Sequence, residues 1–161
     1  MRAMTRRAMT RKAALRAQLA AHLTEALASA RAAHAAAIEG ATHPEARAEN
    51  DKDTRGLEQS YLARGQARRV AELEAELGGV EAMRLRMFDA REPVAIGAIV
   101  EVGADDTTHR YLLAPGGGGV VLDDGLHVIT GSSPLGRTLL NKHIGDVVEV
   151  RGRELEIVEI E

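Results

Sequence analysis

Residues 129–161 read ITGSSPLGRTLLNKHIGDVVEVRGRELEIVEIE. Within this stretch the alternation of apolar and polar side chains starts, stops and starts again. Asp146–Arg151 (DVVEVR) and Glu154–Ile160 (ELEIVEI) alternate with the period of a strand that buries one face. Between Thr130 and Asp146 the pattern changes. Ser133 is a favoured helix N-cap, Pro134 suits the first helical position, and Gly145 follows where the short helix should be over. Upstream, Gly97–Gly103, Thr108–Leu113 and Leu126–Thr130 read as three further strands. The last 70 residues are therefore expected to form a small antiparallel sheet with one short helix laid across it.

The composition changes near residue 90. The first 90 residues hold a single proline, Pro44, and are rich in Ala, Leu, Arg and Glu, all strong helix formers. A domain boundary is placed at Ala90–Pro93, because Pro93 disfavours a helical Glu92 before it. Apolar residues in the first part recur every three or four positions: Leu15, Leu19, His22 or Leu23, Ala26, Ala30, Ala33 and Ala37. A second stripe runs through Leu57, Tyr61, Val70, Leu73, Leu77, Val80 and Met87. Such spacing marks one helical face and, if sustained, a coiled-coil seam. A second helix from about Thr54 to Asp89 would be ~53 Å long at 1.5 Å per residue. Matching it requires the first helix to begin near Thr5. The expected fold class is α+β, with a helical hairpin over residues 1–90 and a β domain over 91–161.

The totals narrow the chemistry. With one Phe, two Tyr and no Trp, the core must be built from Ala, Leu, Val, Ile and Met. The absence of cysteine excludes disulfides and thiolate metal sites. No apolar run approaches the ~18 residues of a membrane span, so no membrane partner is expected; nothing resembles a secretory signal, so a cytoplasmic location is the default. The six histidines form no metal-binding pair by spacing, and no hydrolase triad is apparent. Gly116–Gly119 lacks the Lys and Ser or Thr of a phosphate loop and reads as a flexible hairpin loop. Residues 2–16 carry Arg2, Arg6, Arg7, Arg11, Lys12 and Arg16 without an acid. They are read as a basic, solvated helix end, with a nucleic-acid arm or a transit segment as alternatives.

Residues 49–56 read ENDKDTRG and fall where the two helices join. Asp51 and Asp53 stand where acids satisfy free N–H groups and oppose the helix dipole, worth roughly 0.5–2 kcal/mol. Glu49 is poorly explained by capping. Three clustered carboxylates can instead offer oxygen ligands to Mg²⁺, though weakly unless a partner completes the coordination.

This combination resembles the bacterial Gre transcript-cleavage factors, which join an acid-tipped antiparallel coiled coil to an FKBP-like β domain. The resemblance is carried most specifically by Ile129–Glu161: a Ser-Pro opening a short helix, the turn Lys142-His143-Ile144-Gly145-Asp146, then two closing strands. It implies an accessory factor rather than an enzyme. The β domain would dock at the rim of RNA polymerase's secondary channel, with Ser133, Pro134, Lys142 and His143 as candidate docking residues. The hairpin would reach toward the catalytic centre and the 3′ end of the nascent RNA, without sequence-specific DNA binding. Asp51 and Asp53, with Glu49 next, would share a Mg²⁺ ion with the polymerase; no cofactor of the chain's own is implied.

The tip departs from the family pattern, which resembles Asp-Leu-x-Glu-Asn-x-Glu-Tyr. Counted back from Glu74–Leu77, its first acid falls on Glu49, its second on Lys52 and its Tyr on Gly56. Cleavage stimulation and non-cleaving regulation both stay open. So do two other classes: an FKBP-fold chaperone or isomerase with a coiled-coil oligomerisation arm, and an adaptor with an inert tip. Tyr111, the one aromatic between residues 93 and 161, is a poor basis for a proline pocket.

Overall fold

A computed structural model of the chain describes residues 2–42, 55–104 and 107–161. The elements run α1 (Arg2–Thr42), α2 (Arg55–Ala82), β1 (Ile99–Ala104), β2 (Thr107–Ala114), β3 (His127–Thr130), α3 (Pro134–Leu139), β4 (Val147–Val150) and β5 (Arg153–Ile160). By packing the chain divides into two compact units. One comprises Met1–His22 with Leu77–Glu161, and the other Leu23–Glu76. The compositional boundary at residues 90–93 lies inside the first of these.

The unit Leu23–Glu76 pairs the two helices antiparallel. Arg31 meets Glu74 at 2.6 Å, and nearer residues 43–54 Gly40 faces Gln59. Leu23, Leu27, Ala30, Ala37 and Leu73 are buried. The four positions on α1 are separated by four, three and seven residues, the steps of one helical face. Leu27 rather than Ala26 is the buried position on this face, and Ala33, expected on the stripe, is exposed. Leu57 and Tyr61, expected on the seam of α2, are 56% and 60% exposed. The physical reason is angular: at 100° per residue, Leu57 and Tyr61 point away from the side that carries Leu73. The Arg31–Glu74 pair has both side chains about half exposed, so it adds little stability.

The other unit is built on a five-stranded sheet in the order β3-β2-β1-β5-β4. Every expected strand is present, within a residue or two of its expected bounds. One pairing corrects the expectation of an all-antiparallel sheet: β2 and β3 run parallel, with Tyr111 opposite His127 and Ala114 opposite Thr130. Gly116–Gly119 is accordingly no hairpin loop between them. The chain crosses back first, and Gly119 and Val120 hydrogen-bond to Val128 while Val121 bridges His127. The tight turn of that return is Asp123–Gly125, with Asp124 at φ 61°. Gly116 and Gly117 are buried, and Gly117 packs so closely on the fully buried Leu19 that a Cβ there would lie 2.5 Å from its Cδ1.

One face of the sheet carries the core. Val100, Val102, Leu113, Val148, Ile157 and Ile160 pack with Leu139 of α3 and with Phe88, Val94 and Ala98. The register of β1 and β5 shifts between Glu101 and Val102, so Val158 is an extra residue. This bulge lets Ile157 and Ile160 both face the core, although their spacing of three breaks strict alternation.

The second helix stops at Ala82 rather than Asp89. Carbonyls of the segment just beyond it find partners on α1 instead of in a continued helical ladder. Arg16 donates to the Met83 carbonyl at 3.0 Å and Lys12 to the Arg86 carbonyl at 2.9 Å. Met87, placed on the helical stripe by its spacing, therefore lies beyond the helix, while Met83 and Phe88 are buried.

Candidate functional site

The candidate docking residues Ser133, Pro134, Lys142 and His143 flank α3. The Ser133 hydroxyl donates to the Thr130 carbonyl at 2.8 Å and accepts from the Gly136 N–H at 3.0 Å. Ser133 has extended dihedrals, φ −68° and ψ 155°, and is the helix N-cap, as its sequence position suggests. Pro134 takes the first helical position and is exposed. The helix can sit this close to β3 only because residue 136 is glycine. A Cβ there would lie 2.0 Å from the Thr130 carbonyl oxygen, which is main chain and cannot swing aside.

The far end of α3 departs from the expectation in one detail. Gly145 does not end the helix; Asn141 takes the left-handed position after it, at φ 63°. The Asn141 N–H donates to the Val94 carbonyl at 2.9 Å, and the Lys142 carbonyl accepts from the Val94 N–H at 2.8 Å. Gly145, at φ 88°, sits instead in the next turn. There the Asp146 N–H donates to the His143 carbonyl at 3.1 Å, and the Asp146 carboxylate accepts from the His143 N–H at 2.8 Å. The Gly145 N–H then joins the sheet through the Ile157 carbonyl at 2.8 Å.

Main-chain bonds thus hold Lys142 and His143 while leaving both side chains exposed. Ile144 and Val147 beside them are 38% and 58% exposed. Ser133–Pro134 and Lys142–His143 stand at opposite ends of a helix six residues long, about 9 Å apart along its axis. The Ser133 hydroxyl is committed to its two bonds in the cap. A fixed backbone presenting proline, lysine, histidine and two aliphatic side chains can bind a surface.

The tip acids Glu49, Asp51 and Asp53 lie outside the described residues. Among the described residues no group of His, Asp and Glu could hold a metal ion. None of their helices is long and apolar enough to cross a membrane.

The basic start of the chain is only partly the solvated helix end expected of it. Arg6 and Arg7 are exposed. Lys12 is 2% exposed, and its ammonium donates to the main-chain oxygens of Arg86 at 2.9 Å, Gly97 at 3.2 Å and Glu161 at 2.6 Å. It also lies 5.0 Å from the centre of the Phe88 ring. The Arg86 guanidinium lies 3.9 Å from the same ring, an attraction between cation and π-face, and pairs with Glu92. Burial lowers the Lys12 pKa to about 8, against the opposing pull of Glu161 and with the help of Arg86. Glu92 is held below the usual carboxylate range by the Asp89 N–H and then by Arg86. Arg11 bonds Asp124 at 3.3 Å, and Gln18 bonds Asp123 at 2.8 Å.

Sequence reasoning missed Lys12 as a core residue, yet a signal was present. Lys12 precedes Leu15, Leu19 and Leu23 at steps of three, four and four. A lysine in register with a buried stripe is a candidate for a buried, hydrogen-bonded cation.

No protein-family model matches the chain, and neither does any curated protein. Similar solved structures do exist. The GreA factor homologue Gfh1 of Thermus thermophilus is 20% identical, over 88% of this chain and 94% of that one, with a TM-score of 0.37. Gfh1 of Thermus aquaticus is 21% identical, over 86% and 91% respectively, with a TM-score of 0.38. Identities and TM-scores at this level bring no residue role to this chain.

Proposed function

We propose that this chain is an accessory factor of RNA polymerase that enters the secondary channel with its helical hairpin. The reading is carried by one observation. The stretch Ile129–Glu161, which resembles the C-terminal signature of the Gre factors, folds as that resemblance implies. Ser133 caps a helix opened by Pro134, the turn Lys142–Asp146 closes on itself, and β4 and β5 complete the sheet. The paired helices Leu23–Thr42 and Arg55–Glu76 supply the hairpin, with residues 43–54 between them. In this reading the surface around Pro134, Lys142 and His143 docks on the polymerase.

Asp51 and Asp53, with Glu49 beside them, are the residues that would share a Mg²⁺ ion with polymerase carboxylates and RNA phosphate. Carboxylate oxygens suit such an ion, and Mg²⁺ bound this way relies on ligands from more than one partner. A second metal at that centre would stabilise the attacking and leaving oxygens of hydrolysis. The order of acids at the tip favours a second reading as well. Lys52 stands where the family's second acid falls, so a factor that occupies the channel and regulates without cleaving fits the same fold.

The experiment uses a backtracked elongation complex with end-labelled RNA at fixed Mg²⁺. The wild-type protein is compared with Asp51→Asn/Asp53→Asn. Shortening of the transcript by the wild type alone, with both proteins bound, supports the shared metal site. Binding without shortening by either supports the channel-occupying regulator. Failure of the wild type to bind polymerase at micromolar concentration overturns both readings.

A further inference from the structure

We draw no further inference here: the strongest candidate, the outer face of β4 and β5 where Val147 and Val158 stand exposed beside Glu149, Glu154 and Glu156, carries none because nothing in the structure shows what covers it.

Discussion

The Lys12 ammonium donates to the main-chain oxygen of Glu161 at 2.6 Å, joining positions 149 residues apart in the chain. The same ammonium serves Arg86 and Gly97, so one side chain of α1 holds three separate segments. Replacing it by methionine keeps an apolar stem and removes every donor. Three main-chain oxygens then lose a charged partner in a site that is 2% exposed. Lys12→Met is expected to lower stability by about 2–4 kcal/mol, since a buried acceptor left without a donor costs about 1–3 kcal/mol. Urea unfolding at pH 7 measures it. A midpoint equal to the wild type's would mean that the three bonds contribute nothing net.

The same residue has a signature in pH. Its folded pKa of about 8 lies below the ordinary value of 10.5. Between these values the unfolded chain retains a proton that the folded chain has released, so this group's contribution to stability rises with pH. That contribution is full above 10.5 and is lost as pH falls through 8. The stability difference between wild type and Lys12→Met should therefore widen in favour of the wild type from pH 8 to pH 10. The slope can reach at most about 1.4 kcal/mol per pH unit. A difference that stays flat over this range would place the Lys12 pKa near its ordinary value.

Gly117 and Gly119 separate packing from backbone strain. Both have left-handed dihedrals, φ 76° and φ 92°, so alanine at either pays a backbone cost of about 1 kcal/mol. Only at 117 would the added Cβ strike a neighbour, Leu19 at 2.5 Å; at 119 it meets nothing within 4 Å. Gly117→Ala is expected to destabilise more than Gly119→Ala, by about 1–3 kcal/mol, the usual cost of overpacking. Equal thermal midpoints for the two variants would show that the loop yields without cost.

At α3 the ordering of two variants is predicted. Ser133→Ala removes the cap and should cost about 0.5–2 kcal/mol. Gly136→Ala forces the helix off the Thr130 carbonyl, which a Cβ would approach to 2.0 Å. It should cost more than the loss of the cap and disturb the amide resonances of Thr130 and Ser133. A Gly136→Ala protein as stable as Ser133→Ala would mean that the helix is free to lift.

The strands and the short helix were legible because their signals are local. Alternation, a Ser-Pro start and Gly-bounded turns each act within a few residues. The parallel pairing of β2 and β3 was not legible, because the decision lies in the path of residues 115–126. That path depends on Gly117 fitting against Leu19, far away in sequence. The end of α2 was missed for a related reason. The apolar spacing through Met87 continues the helical period, but Arg16 captures the Met83 carbonyl that such a helix would use itself, and Lys12 takes that of Arg86. Of the candidate site, the capping role of Ser133 follows from sequence. That Lys142 and His143 stand exposed just beyond α3, with Pro134 exposed at its start, follows only from the fold, in which main-chain bonds tie Asn141 and Lys142 to Val94.

Entry of the hairpin to the polymerase's catalytic centre, as proposed, can be tested by proximity without requiring cleavage. The chain contains no cysteine, so Asp51→Cys offers a single attachment point for an iron chelate. In a complex with RNA polymerase, radicals generated at that iron should cut polymerase segments surrounding the catalytic Mg²⁺. Cutting confined to the enzyme's outer surface, in a complex shown to be bound, would contradict entry into the channel.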